Sequence, residues 1–308
     1  MAQGTVRSSA LAQDRAVPGL FWGAAMLICL LRPLGLDWHA PWATQAGMLL
    51  MLAGGLPHGG HDLMVARTLW RMQGPTLALF LACYVAAAAT MALAWWAMPL
   101  AAMLGFLALA AWHFSEDWDL PQDSLLRTAA GLAPIAAAVL GQPERVSQLF
   151  VAMTDPATGR LAVALVTLVS PVALLVAAVA ITLAWQGGSR RWAAAQAAAL
   201  ALLALAPPTL AFPTYFALLH SRRHVVAILD EFGAGGRSFS HPRLAAVLLA
   251  LLACTGWALF SPRFIDLARG IDPALAFQLL SVVAVPHLIF DAMGTLFRRP
   301  VAAAPRPA

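Results

Sequence analysis

Two histidines and an aspartate, His58, His61 and Asp62, sit in the stretch GGLPHGGHDLMVAR (54–67), inside a chain otherwise apolar enough for a bilayer. An ionisable side chain at that depth marks function by default. Further histidines stand in comparable settings: His113 in AAWHFSEDWD, His220 and His224 in FALLHSRRHVV, and His287 in VPHLIFD. Histidine can bind a metal, move a proton or carry a haem. His220 and His224 are four apart, so both imidazoles lie on one helix face, one turn from each other. His58, His113 and His287 are each followed four residues later by an aspartate, Asp62, Asp117 and Asp291. A metal-bound imidazole commonly donates its other N–H to a carboxylate, which fixes tautomer and orientation. The three aspartates are therefore expected to hold ligands in place around one ion.

A set of neutral imidazoles suits iron, zinc, copper or nickel and disfavours magnesium or calcium. Cys29, Cys83 and Cys254 lie in apolar runs without ligand spacing and read as buried free thiols. His61, three residues beyond His58, is left open as a ligand, an outer donor or a pocket residue. His39 and His241 fall in loop contexts and receive no role. Aromatic residues surround the histidines: Trp112, Phe114, Phe212, Tyr215, Phe216 and Phe290. Trp112, Phe114, Tyr215 and Phe216 are candidates for the lining of an apolar substrate tunnel whose ring faces stabilise developing positive charge.

The elements that must position these residues follow from composition. Hydrophobic residues make up 61% of the 308 and charged ones 11%, against about a quarter charged in soluble domains, and mean hydropathy is +0.77. The fold class is all-α, a polytopic integral membrane helix bundle. With about 20 apolar residues needed per crossing, candidate spans fall at 18–36, 42–66, 75–97, 99–118, 125–142, 161–186, 191–207, 209–232, 243–260 and 273–297. The two weakest, 125–142 and 191–207, are short and leave the number at eight to ten. The chain divides into a polar N-terminal tail (1–17), a single transmembrane domain (18–299) and a disordered C-terminal tail (300–308), with an uncleaved first span.

All 19 basic residues are arginine. Positive charge gathers on the cytoplasmic side of short loops; with both termini cytoplasmic, 12 arginines fall inside and 5 outside, Arg222 and Arg223 lying within a span. Their scatter gives no nucleic-acid face. Measured from the outer span ends at 1.5 Å per residue, His58, His113, His220, His224 and His287 all lie roughly 17 to 24 Å deep. A shared site requires such a common level.

GLPHGGHD, WHFSED, LLHSRRH and VPHLIFD, in that order across nearly the whole chain, resemble the blocks of the Brp/Blh family of bacterial and archaeal membrane proteins, named for beta-carotene 15,15′-dioxygenase. The resemblance implies an oxidoreductase of the bacterial cytoplasmic membrane that cleaves the central double bond of beta-carotene with molecular oxygen, giving two all-trans retinal molecules. It implies Fe(2+) held by His58, His113, His220 and His224, with His287 as an extra candidate, and a retinal-binding rhodopsin downstream. The chain departs from the family pattern at His61, where PHGALD is usual, and at Ser115, where HFG is common. Two other readings remain at this point: a haem-binding or proton-relay membrane protein, and cleavage of a different carotenoid or apocarotenoid.

Overall fold

The computed structural model describes residues 17–31, 35–68, 70–118, 124–226, 242–261, 263–266 and 269–297. The expected tails, apart from Val17, lie outside the described residues, as do 227–232 of the eighth expected span and His241.

Proline sets the helix beginnings, because its fixed φ suits the first turn and its missing N–H is not needed there. Pro41, Pro99, Pro143, Pro156, Pro208, Pro242 and Pro273 each open a helix. The chain runs through α1 (Gly19–Leu31), α2 (Pro41–Leu50), a π turn (Met51–Gly55), a 3-10 stretch (Leu56–His61), α3 (Asp62–Thr68) and α4 (Gly74–Ala97). Next come α5 (Pro99–Phe114), a 3-10 turn (Ser115–Asp117), α6 (Ser124–Gly141), α7 (Pro143–Met153), α8 (Pro156–Gln186) and α9 (Arg190–Leu205). It continues through α10 (Pro208–Tyr215), a second π turn (Phe216–His220) and α-helix over 221–226. After α11 (Pro242–Phe260), β1 (Ile265–Asp266) and β2 (Gly270–Ile271) form a small antiparallel ribbon before α12 (Pro273–Phe297).

The fold is all-α apart from that ribbon. Among the described residues, four helices are long and apolar enough to cross a membrane: Gly74–Ala97, Ser124–Gly141, Pro156–Gln186 and Pro273–Met293. Of the other expected spans, 18–36, 99–118 and 191–207 are shorter as continuous α-helix and 42–66 and 209–232 change helical type part-way, whereas 243–260 is helix throughout, with Ala246–Leu259 its described apolar part. Helix α7 falls where the sequence suggested a loop. Its charged and polar half hides it from a hydropathy ruler, yet Val146, Phe150 and Met153 share one buried face.

Small residues bring the helices together. α6 packs against α5, α8 and α9, burying Ala130, Gly131, Ala133, Ala136 and Ala137, while α8 contributes Ala162, Ala173, Ala177 and Ala180. The outside is aliphatic: Leu168 and Leu175 on α8 and Leu79, Val85 and Leu93 on α4 are all well exposed. A water-facing helix would present polar residues there, so this surface is compatible with a membrane protein. Cys29 and Cys83 lie on it, exposed, and Cys254 is half-buried. Cys29 and Cys83 face outward, not buried as the sequence suggested, because their helices turn that side away from the bundle, while Cys254 packs partly against the core.

The two π turns meet. A Cβ on Gly55 would lie 2.5 Å from the Phe216 ring, so only glycine lets the turn carrying His220 approach the one leading to His58. Both turns lie beside proline: Pro57 follows the first and Pro213 precedes the second. Proline cannot supply the ladder hydrogen bond at its own position, and local π or 3-10 winding absorbs the break. Pro286, in the matching P-H-x-x-x-D segment, instead sits inside continuous α-helix.

Candidate metal centre

The histidines come from four stretches of chain: His58 from the 3-10 stretch, His113 from the end of α5, His220 and His224 from the second π turn and the helix after it, and His287 from α12. His58, His113, His220 and His287 are buried, and His224 is half-buried. Their rings form one cluster. Centroids are 4.7 Å apart for His113 and His220, 4.9 Å for His58 and His287, 5.1 Å for His113 and His287, and 5.3 Å for His224 and His287. Ligand nitrogens of His58, His113 and His220 all lie within 4.8 Å of one another. His224 joins through ring contacts 5.5 Å from His113 and 5.7 Å from His58.

Hydrogen bonds fix the tautomers. His58 Nδ1 donates to the Gly55 carbonyl at 2.6 Å. His113 Nδ1 donates to Asp291 at 3.1 Å, His220 Nδ1 to Asp117 at 2.7 Å, and His287 Nδ1 to Asp62 at 2.9 Å. Carbonyls and carboxylates only accept, so each Nδ1 carries a proton, and in a neutral imidazole the Nε2 then keeps its lone pair. The aspartates thus serve histidines on other helices: Asp62 reaches α12, Asp117 reaches the second π turn, and Asp291 reaches α5. The i+4 spacing pointed to pairing within each helix. Packing brings another helix's imidazole nearer, and the three pairs tie separate segments together.

The residues fit a metal ion. His113 Nε2 and His220 Nε2 face each other at 3.0 Å, an arrangement of two lone pairs that positive charge between them resolves. Two nitrogens each roughly 2.1 Å from one ion stand about 3.0 Å apart at a right angle. Among the described residues His287 Nε2 is buried without a hydrogen-bond partner, although burying an unpaired polar atom is costly. The donor set is nitrogen only, which suits iron, zinc, copper or nickel.

A family model for beta-carotene 15,15'-dioxygenase matches residues 49–293. The chain belongs to the beta-carotene 15,15'-dioxygenase family. The match runs from before the first π turn to just beyond Asp291, so it takes in every histidine of the cluster and all three aspartates. No curated protein and no solved structure matches the chain. Membership in the dioxygenase family supports a carotenoid dioxygenase enzyme, acting on a carotenoid with oxygen, and the cluster is a buried histidine site able to bind a metal.

The remaining sequence-derived positions divide. Phe114 and Phe216 are buried against the imidazoles, Phe114 at 4.8 Å from His220 and Phe216 at 5.2 Å from His58. Tyr215 is fully buried and donates to Asp117 at 3.1 Å. Trp112 does not join this inner wall: it is 40% exposed, because it stands about 200° around the helix from the inward-facing Phe114. Phe290 packs on Trp70 and Phe80. His61 is buried with its Nδ1 on the His58 carbonyl, and among the described residues its Nε2 has no partner and it makes no ring contact with the other histidines.

Three participants were not singled out from the sequence of this dioxygenase-family chain. Tyr84 donates to Asp62 at 2.9 Å. Arg223, noted only as a charge within a span, approaches Asp117 at 3.4 Å. The Gly55 carbonyl serves His58. A signal for the tyrosines existed: the chain has 2 tyrosines against 14 phenylalanines. Both tyrosine hydroxyls bond an aspartate that holds a histidine.

Proposed function

We propose that the protein is an integral membrane enzyme that cleaves the central 15,15′ double bond of beta-carotene with dioxygen to give two all-trans retinal molecules. Ferrous iron would be held by His58, His113, His220 and His224, with His287 as a further imidazole at the same point. The observation that carries this is the set of Nδ1-anchored histidines within a carotenoid-dioxygenase family chain, above all the facing nitrogens of His113 and His220. The aliphatic outer surface supports placement in a membrane. The arginine asymmetry supports both termini on the cytoplasmic side of a bacterial membrane, and a retinal-binding rhodopsin is the downstream consumer that the product suggests.

One carbon–carbon double bond and one dioxygen become two aldehydes, so the reaction needs no external reductant. Bound iron supplies the redox chemistry with dioxygen. The protein's residues do the rest. Gly55, Asp62, Asp117 and Asp291 hold four imidazoles in the tautomer that presents Nε2, while Tyr84, Tyr215 and Arg223 hold two of those carboxylates. Phe114 and Phe216 cover imidazole faces and keep water from the cluster. Asp62, Asp117 and Asp291 hold imidazoles from behind and are not proposed as ligands, which keeps the ligating set neutral imidazole.

The test is expression in a bacterium that accumulates beta-carotene, followed by pigment extraction and chromatography, beside His58→Ala and His224→Ala. Wild type is expected to bleach the cells and yield retinal while both variants stay coloured. Persistent carotene beside folded, iron-loaded wild-type protein would refute beta-carotene as substrate and direct the assay to other carotenoids.

A further inference from the structure

An apolar cavity of about 290 Å³ lies beside the histidine cluster, lined by the 3-10 stretch with Asp62 and Leu63, by α4 and α11, and by Val283 and Pro286 of α12. Its inner end is Gly59, where an added Cβ would lie 3.5 Å from the His287 side chain. Its rim carries Leu81, Val85 and Leu249, all exposed on the aliphatic outer surface. The cavity therefore runs from the outer surface to within one residue of His58.

Its chemistry selects hydrocarbon. Among the described lining residues the only polar side chains are Asp62 and Tyr84, and each is already engaged: Tyr84 donates to Asp62, and both Asp62 oxygens lie 2.9 Å from His287 Nδ1. A ligand with a polar body would find few free partners there, whereas an apolar one loses nothing by leaving lipid. The volume is at the small end for a ligand site, so it takes part of a long molecule. Along α4 the lining runs from Phe80 to Ala88, roughly 12 Å at 1.5 Å per residue, which suits a narrow rod. α4 is held most firmly at its far end, where Met91 and Trp95 are its buried residues and Trp95 donates to Ser281 at 2.6 Å. Its cavity-side half is tied to the bundle through Tyr84 and Asp62.

We propose that this cavity is the lateral portal and the seat for one arm of the linear polyene substrate, open to lipid between α4 and α11 and ending at Gly59 beside His287. This rests on the carotenoid-cleaving reading for the identity of the ligand. The cavity accounts for how a molecule that never leaves the bilayer reaches a buried centre.

The test uses purified full-length protein in detergent micelles, metal-free, titrated with beta-carotene and followed by quenching of tryptophan fluorescence. The iron-loaded protein is assayed in parallel for retinal. Ala253→Phe fills the cavity from α11, and Gly59→Ala narrows its inner end at an ordinary van der Waals distance, so that variant folds without a clash. Both are expected to weaken beta-carotene binding by about tenfold or more, with unfolding temperature and metal uptake unchanged. Wild-type binding by both folded variants overturns the portal; if Ala253→Phe misfolds, Gly59→Ala decides alone. Binding that the variants weaken, without retinal from wild type, supports the portal and defeats the cleavage reading. Retinal formed equally by all three proteins supports cleavage and defeats the portal.

Discussion

Replacing Asp117 by asparagine tests the claim that carboxylates hold the ligands. Asp117 is buried and collects three donors: His220 Nδ1 at 2.7 Å and the Tyr215 hydroxyl at 3.1 Å on one oxygen, and Arg223 at 3.4 Å on the other. Asparagine keeps the shape, but its NH2 must face either Arg223 or the His220–Tyr215 pair. Each side is a donor, so one contact becomes donor against donor and the charge is lost. A hydrogen bond to a charged group contributes about 1.5–3 kcal/mol, and that is the expected loss of stability in the metal-free protein. Losing the carboxylate behind a ligating histidine lowers metal affinity about 10–100-fold, equivalent to about 1.4–2.7 kcal/mol. Tyr215→Phe removes one donor and leaves the charge on His220 and Arg223, so it costs about 1 kcal/mol and less than about tenfold in affinity. The assay is ferrous iron competition against a chelator of known affinity, with thermal unfolding measured on the same preparations. Folded Asp117→Asn protein that binds iron like wild type, or a larger effect from Tyr215→Phe, would refute the reasoning.

Two further perturbations reach other parts of the structure. A Cβ on Gly131 would lie 2.6 Å from the Ser115 backbone nitrogen and 2.9 Å from its Cα. Gly131→Ala is therefore expected to force α6 from the turn between His113 and Asp117, at about 1–3 kcal/mol and with a lower iron-to-protein ratio; unchanged unfolding temperature and iron content would contradict it. Asp155 caps α8 by accepting from the backbone N–H groups of Ala157 and Thr158 at 2.9 and 3.0 Å, and hydrogen bonds from Thr158 hold its carboxyl below its ordinary value. Because the folded-state value is the lower one, the ionised cap's contribution is complete above the ordinary value of about 3.9. It is lost as pH falls through the depressed value. Asp155→Asn keeps an accepting oxygen and should flatten that acid limb, as thermal unfolding across a pH series would show.

The all-helical fold was legible because hydropathy marks an apolar helix whatever its neighbours, and seven prolines mark where helices begin. Lengths were less legible: winding at Met51–Gly55 and Phe216–His220 depends on Pro57, Pro213 and the approach of Phe216 to Gly55, which belong to packing. The histidines stood out because imidazoles are rare in such a composition, and the structure does set the rings of His58, His113, His220, His224 and His287 side by side. Their carboxylate partners were legible by type and not by pairing. An i+4 spacing describes one helix, whereas Asp62, Asp117 and Asp291 answer to neighbours more than 100 residues away. Trp112 and Tyr84 show the same limit, since which side of a helix faces inward is settled by what packs there.

The crossed aspartate–histidine pairs also order the assembly of the protein in time. Asp62 and His113 come early in the chain, yet their partners, His287 and Asp291, both arrive with α12. A nascent bundle without α12 holds His113 without its carboxylate and leaves Asp62 to the Tyr84 hydroxyl alone, so two of the three cross-helix ties close only when α12 docks.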